Sequence, residues 1–339
     1  MLLFLGLIAM LVGYVLVVYA ANRFSTPAPL ADADFHAALG ADAPAGASLS
    51  VATWNIGYAG MGAEADFMMD LGEQTRPTDP ALVDRNLASI QSEIASFGTD
   101  AIFVQEAAEP SYSTHRRDVV EGLRSALPRY GWMYGAEVAT RLIPPPLKAS
   151  VGNMIFSQVA VASAERRALP LEPTFEYGAF RKGYRMHIAR LAGPENWVLV
   201  NVHLSTFDTL EHDVRSKQVD ALMAFAQSEY EQGSRVVIGG DWNLRLADTD
   251  FPHTSEEKFL FWVRDFPQQK VPDGWQWAVD PSTPTVRGAH RPYTPGDNFT
   301  LIIDGFLVSP NVGVSSVKAR DLGFEFTDHH PVIGEFVAR

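Results

Sequence analysis

The chain has 339 residues, 47% hydrophobic and 20% charged, enough to bury the core of one large domain or two ordinary ones. Its 40 acidic residues against 27 basic ones leave a formal charge of -13. This excludes a protein that holds nucleic acid mainly through a broad basic surface, though not an enzyme that cuts it transiently. The absence of cysteine excludes disulfides, thiolate metal sites, a cysteine nucleophile and an N-terminal cysteine lipid anchor.

The first predicted element is LLFLGLIAMLVGYVLVVYAA, Leu2 to Ala21, 20 residues without a charge and long enough to cross a hydrocarbon core of about 30 Å as a transmembrane helix. A cleaved signal peptide is the rival, because Val18-Tyr19-Ala20 fits a small-x-small site. The apolar run exceeds the usual ~7–15 residues and no basic segment precedes it, which favours an uncleaved, single-pass anchor. By analogy with signal anchors, the main domain is expected outside the cytoplasm. Residues 22–48, rich in Ala, Pro and Asp, lack periodicity and read as a tether, so the folded domain is expected over residues 49–339.

From Leu49 onward, apolar strand-like runs alternate with helical patterns: LSVATWNIG, a helix, AIFVQE, then a second helix across Asp118 to Leu127. Such alternation indicates an α/β protein. The first of these helices is the clearest, with Asp79-Pro80 as its cap and first residue, Val83, Leu87, Ile90, Ile94 and Phe97 on one stripe, and Gly98 at the stop. Another helix is expected from Glu211 to Glu231. YRMHIARL, NWVLVNVHL, RVVIGGD, FTLIIDGFLVS, GVSSVKAR and HPVIGEFVA are short, β-branched or aromatic runs that predict strands with antiparallel pairs.

Several of these runs end in polar residues. VVIGGDWN presents Asp241 and Asn243 on either side of Trp242, and an extended chain would put both polar groups on one face. An Asx turn closing the strand is the alternative. AIFVQE ends in Glu106, VLVNVH in His203 and SVATWN in Asn55. Strand ends in α/β folds converge on a crevice, where such groups can meet around one ligand.

Asp304 interrupts LIIDGFLVS, where burial of a carboxylate costs several kcal/mol unless it is paired. His329, in FTDHHPVIGEF, is the candidate partner, since a histidine held by a buried Asp is an oriented general base. Glu106, Asp328 and Asn55 supply hard oxygens suited to Mg²⁺, with zinc disfavoured for want of a clustered His motif.

WN, QE, NVHLS, GGDWN, IDGFLVS and TDHHP, in this order across residues 49–339, resemble the endonuclease/exonuclease/phosphatase superfamily. The resemblance implies a four-layer α/β/β/α sandwich of two mixed sheets flanked by helices, and metal-assisted phosphoester hydrolysis with Mg²⁺ or Mn²⁺. On that basis Glu106, Asn55 and Asp328 serve the metal, His329 activates water and Asp304 orients it. Asp241 positions the nucleophile, Asn243 binds the phosphate, and His203 contacts phosphate or protonates the leaving group.

Two departures stand out. GNMIFSQ carries Gln158 where the family often has a basic residue, and no run matches the tyrosine-bearing segment of abasic-site enzymes. The segment between GGDWN and IDGF contains Trp262, Trp275 and Trp277, and then Arg287, His290 and Arg291. It reads either as a source of substrate contacts, Arg287 above all, or as a turn-rich connection packed by its aromatics. The expected partners are a phosphoester substrate (nucleic acid, phospholipid or sugar phosphate) and a membrane, with no stable nucleic-acid complex and a monomeric domain. The alternative is a membrane-tethered binding module that kept the fold and lost catalysis.

Overall fold

In the computed structural model, residues 2–23, 30–38, 41–171, 182–206 and 213–339 are described. The strands in chain order begin with β1 (Leu30–Asp32), β2 (Ser48–Asn55), β3 (Ala101–Ala108), β4 (Gly131–Ala139) and β5 (Ser150–Ser157). They continue with β6 (Val161–Ala168), β7 (Arg185–Leu191), β8 (Trp197–His203), β9 (Arg235–Asp241) and β10 (Gln276–Ala278). The last five are β11 (Val286–Arg287), β12 (Thr300–Leu301), β13 (Asp304–Val308), β14 (Val312–Ala319) and β15 (Val332–Ala338). The α-helices are α1 (Leu2–Arg23), α2 (Pro80–Ala95), α3 (Val119–Ala126) and α4 (Val214–Glu231).

Two mixed sheets form, one ordered β1-β6-β7-β8-β9-β13-β10 and the other β14-β15-β2-β3-β5-β4, with β11 and β12 as a separate pair. The β2/β3 and β8/β9 pairs are parallel and the other pairs antiparallel. Strands buried on both faces read as continuous apolar runs, and β2, β3, β8 and β9 do so because each sheet is covered on both sides. Leu49, Val51, Phe103, Leu199, Val237 and Phe306 fill the space between the sheets. α2 and α3 cover the outer face of the six-stranded sheet through Val83, Ile90, Ile94, Val119 and Leu123. α4 covers the seven-stranded sheet through Val219, Leu222, Met223 and Phe225. The result is a four-layer α/β/β/α sandwich.

α2 begins as its sequence dictates: the Asp79 carboxylate accepts from Ala81 N (2.8 Å) and Pro80 takes a position where no N–H is needed. It stops at Ala95, three residues before Gly98, whose φ of +63° turns the chain toward β3. α4 is found from Val214, capped by Asp213; the expected start at Glu211 lies outside the described residues.

Three expectations change. Residues 22–48 are not wholly a tether, because β1 pairs with β6, His36 bridges and stacks on Trp132, and Ala41 and Ala45 are buried. A three-residue edge strand is too short to leave a period in the sequence. Glu106 does not end its strand: it sits inside β3 at a register shift between Val104 and Ala107, with φ +58°. Asp304 opens β13 rather than interrupting a strand, because Thr285 Oγ1 accepts from both Ile303 N and Asp304 N at the break.

α1 contains a 19-residue stretch, Phe4–Asn22, of mean hydropathy 2.4, long and apolar enough to cross a membrane, and its large apolar side chains are exposed.

Candidate active site

Strand register assembles the first wall of the site. His203 of β8 pairs with Asp241 of β9, and Asp241 pairs with Asp304 of β13, so three polar residues stand side by side on one sheet face. β9 can approach β8 this closely because Gly240, at φ +146°, has no side chain; a Cβ there would lie 1.9 Å from the carbonyl oxygen of Val202.

Beyond Gly240 the strand ends, and both readings of the DWN stretch hold in part. Asn243 N donates to Asp241 Oδ1 (2.9 Å), an Asx turn, and Asn243 adopts φ +50° rather than an extended conformation. Asp241 and Asn243 nevertheless both line one cavity, while Trp242 is fully buried against Phe266 and Trp277. Asn243 Nδ2 donates to the Leu204 carbonyl (3.0 Å).

Asp304, with no exposure, accepts from His329 Nδ1 (2.9 Å). This leaves His329 Nε2 facing Asp241 Oδ2 at 3.7 Å. The His329 backbone is fixed in turn by Trp54 Nε1, which donates to its carbonyl (3.0 Å). Burial opposes charging the His329 ring, but Asp304 and Asp241 outweigh it and the imidazolium pKa is pushed up to about 10. Burial pushes Asp241 up to about 6, against the favourable pull of His329.

The opposite wall comes from the six-stranded sheet and the turn before β15. Glu106, Asp328 and Asn55 line the same cavity. Burial, then the neighbouring Asp328 charge, pushes Glu106 up to about 7. His203 Nε2 lies 3.9 Å from Glu106 Oε1, and burial together with Lys182 and His329 drives the His203 pKa well down, so that the ring is neutral and forms no ion pair with Glu106. Asn55 is turned the other way: Nδ2 donates to Asp241 Oδ2 (2.9 Å) and Oδ1 accepts from Gly57 N (3.0 Å). A left-handed glutamate facing a second carboxylate costs free energy on both counts, by about 1–3 kcal/mol for the backbone alone. A divalent cation between Glu106 and Asp328 fits this donor set, because it removes the repulsion that raises Glu106. Asp241, Asp304 and His329 also lie close enough for one ion, with ligand atoms within 4.8 Å, but the His329–Asp304 hydrogen bond already uses Nδ1 and Oδ2.

The cavity has a volume of about 880 Å³. Residues that the sequence did not single out also shape it. Lys182 Nζ lies 3.3 Å from His203 Nε2 and 3.8 Å from Glu137 Oε2, and burial pushes Glu137 up to about 7. Arg215 of α4, buried to 1% exposure, donates Nη1 to the carbonyls of Asn243 (2.8 Å) and Trp262 (2.9 Å), and so holds the DWN turn from behind.

Of the basic residues expected to contact substrate, Arg287 is in the cavity wall, with its guanidinium donated to the carbonyls of Gly62 (2.6 Å) and Gly288 (3.2 Å). His290 is stacked on Phe259 (ring centroids 3.9 Å apart) and Arg291 donates to the Asp297 carbonyl (2.9 Å). Gln158 bears on none of this: its amide donates to Tyr130 Oη (2.6 Å) and the Thr99 carbonyl (3.0 Å), whereas Gly152 and Asn153, earlier on β5, line the cavity.

A strand-end cluster pairing an oriented histidine with buried acids, on a two-sheet sandwich, belongs to a class of phosphoesterase folds. Residues 52–329 match the model of the Endonuclease/Exonuclease/phosphatase family, and the chain belongs to that family. No curated relative matches the sequence. Among solved structures, the endonuclease/exonuclease/phosphatase from Beutenbergia cavernae is similar at 18% identity and TM-score 0.56, covering 86% of this chain and 72% of that one. ANGEL2, a 2',3'-cyclic phosphatase in complex with adenosine-2',3'-vanadate, is similar at 15% identity and TM-score 0.55, covering 86% and 96%. D. rerio TDP2 complexed with a single-strand DNA product is similar at 14% identity and TM-score 0.54, covering 86% and 99%. At these identities the likeness is one of fold.

Proposed function

We propose that the protein is a divalent-metal-dependent phosphoesterase, held at a membrane by α1 as a single-pass anchor. The observation that carries this reading is the pairing of two unlike walls across one cavity: the Asp304–His329–Asp241 row on one side, and the Glu106 and Asp328 carboxylates on the other. The related structures bound to a DNA product and to a nucleotide vanadate support phosphoester chemistry in this fold.

A Mg²⁺ or Mn²⁺ ion held by Glu106 and Asp328 would neutralise charge on the phosphate's non-bridging oxygens and lower the proton affinity of the neighbouring imidazole. Asp304 fixes the His329 ring so that Nε2 faces the reacting centre, and the neutral ring takes a proton from the attacking water. Asp241, beside Nε2, orients that water. Asn243 donates to a phosphate oxygen once its amide leaves Leu204, and neutral His203 donates a second hydrogen bond. Asn55 keeps Asp241 in place.

Anchoring puts the domain on one side of a bilayer, and by analogy with signal anchors we assign it to the extracytoplasmic side. The test is hydrolysis by the full chain of phosphodiesters and phosphomonoesters (DNA, RNA, phospholipid and inositol phosphate) in Mg²⁺ and in EDTA. Activity that EDTA abolishes and His329→Ala removes is expected. Turnover of none of them, or turnover that His329→Ala leaves intact, overturns the proposal.

A further inference from the structure

Among the described residues, most of the large apolar side chains that the domain leaves in solvent line one cavity or lie next in sequence to its wall. Apart from α1, the described residues expose five: Met68 (47%), Leu71 (54%), Leu142 (60%), Leu147 (61%) and Phe261 (39%). Met68, Leu147 and Phe261 line the catalytic cavity. Leu142 adjoins the wall residue Ile143, and Leu71 adjoins the wall residue Asp70. Apolar side chains clustered in this way mark a contact surface, whereas single ones scattered over a protein do not.

Leu142 and Leu147 belong to the β4–β5 connection, TRLIPPPLKA, residues 140–149, whose apolar tip lies between Arg141 and Lys148. α1 touches this same loop. Tyr14 Oη donates to the Leu142 carbonyl (2.6 Å), Asn22 Nδ2 donates to the Arg141 carbonyl (2.9 Å), and Arg141 N donates back to Asn22 Oδ1 (2.7 Å). Tyr14 precedes Asn22 by roughly two helical turns, or about 12 Å along the axis. The loop therefore runs beside the last turns of an apolar helix of membrane-spanning length rather than below its end.

Part of the loop's backbone is already paired within the chain, which matters in an apolar surrounding, where each unpaired polar group costs several kcal/mol. Besides the groups taken by Tyr14 and Asn22, Thr140 N donates to the Ala149 carbonyl (2.9 Å), Ala149 N to Thr140 Oγ1 (2.9 Å) and Leu147 N to the Pro144 carbonyl (3.1 Å). Pro144, Pro145 and Pro146 have no N–H to satisfy.

We propose that loop 140–149 is a second membrane contact. With α1 in the bilayer, Leu142, Ile143 and Leu147 enter the adjacent leaflet, Arg141 and Lys148 meet headgroup phosphates, and the mouth of the catalytic cavity is held against the lipid surface. The proposal rests on the anchor reading of α1, and it makes an amphiphile resident in that leaflet the substrate class best placed to reach the site.

The chain has no cysteine, so single probes can be placed cleanly. Full-length Leu142→Cys, Leu147→Cys and Lys318→Cys, each carrying an environment-sensitive fluorophore, are reconstituted in phosphatidylcholine vesicles with a minor share of phosphatidylserine. Lys318 is 79% exposed in its side chain and serves as the aqueous reference. Blue-shifted emission at 142 and 147, quenched by doxyl-labelled lipid and protected from iodide, is expected, with the opposite pattern at 318. Iodide quenching at 142 and 147 equal to that at 318 overturns the proposal. So does a blue shift that doxyl lipid leaves untouched, which would mean that protein covers the loop, as in self-association. None of these readings requires turnover, so they stand or fall separately from the phosphoesterase proposal. A second arm uses Leu142→Asp, outside the cavity lining: hydrolysis of vesicle-borne phospholipid falls at least tenfold while hydrolysis of a soluble aryl phosphodiester is unchanged. Equal loss on both substrates overturns the surface-docking role.

Discussion

The two walls of the cavity are built on opposite principles. On the seven-stranded sheet, His203, Asp241 and Asp304 are register neighbours, and Asp241 and Asp304 are balanced by Asn55, Asn243 N and His329. On the six-stranded sheet, Glu106 sits in a left-handed conformation at a register shift, where burial and then the Asp328 charge raise its pKa more than Lys182 lowers it. The first wall is largely paired as folded, and on the phosphoesterase proposal a cation would complete the second. Removing one residue from each wall should therefore produce losses of different kinds.

The largest expected effect is on the first wall. His329→Ala should reduce kcat by about 10²–10⁴-fold, the range for a lost general base, with an unchanged circular dichroism spectrum. Asp304→Asn should fall in the same direction, since the ring then loses its charged partner. Steady-state kinetics on one phosphodiester measures both.

The second wall should report through metal. Glu106 has to lose its proton before it can bind a cation, and its pKa stands at about 7. Mg²⁺ in about 100-fold excess over its pH 8 Kd should therefore stabilise the protein by about 2.7 kcal/mol at pH 8, and the same concentration should raise the Tm by less at pH 5.5. Glu106→Gln should remove the pH dependence of that shift. Calorimetric melts with and without Mg²⁺ at the two pH values measure it.

A smaller effect is expected behind the first wall. Arg215→Met leaves the carbonyls of Asn243 and Trp262 without their charged donor, at about 1–3 kcal/mol for each group left unpaired. Urea denaturation measures that loss. Activity should fall with it, because the turn carrying Asp241 and Asn243 loses its brace.

A further effect, on stability alone, lies away from both walls. His187 is buried with no exposure, and burial, with Arg166 and Arg185 nearby, pushes its pKa down to about 3. The unfolded ring takes a proton near pH 6.5 and the folded one does not, so the group lowers stability as pH falls from 6.5 toward 3. The slope is about 1.4 kcal/mol per pH unit. His187→Leu should flatten the fall in stability over that window by one proton's worth, as read by denaturation at a series of pH values.

The legibility of the site follows the same division. Asp241, His203 and Asn55 stood out as polar residues at the ends of apolar strands, and Asp304 as a carboxylate inside an apolar run. The bulge at Glu106 left no such mark, since a register shift depends on the partner strand β5, and Glu106 therefore read as a strand end. Arg215, Lys182 and Glu137 were invisible for a different reason: charged residues on a helix, in a loop and in an alternating strand all look like solvated ones until the fold closes over them. Among the elements, α2 was legible through its cap and stripe, while β1 and the packed part of residues 22–48 were not. An edge strand of three residues is defined by what it pairs with.

The central claim is that the two walls act together as a metal-dependent phosphoesterase. Turnover of a soluble aryl phosphodiester by the full chain, measured across a Mg²⁺ titration for the wild type, Glu106→Gln and His329→Ala, tests it most directly. Wild-type activity that EDTA abolishes, Glu106→Gln activity partly restored by higher Mg²⁺, and His329→Ala activity that no Mg²⁺ concentration restores are expected. Wild-type turnover that persists in EDTA, or Glu106→Gln and His329→Ala responding alike to Mg²⁺, would contradict it.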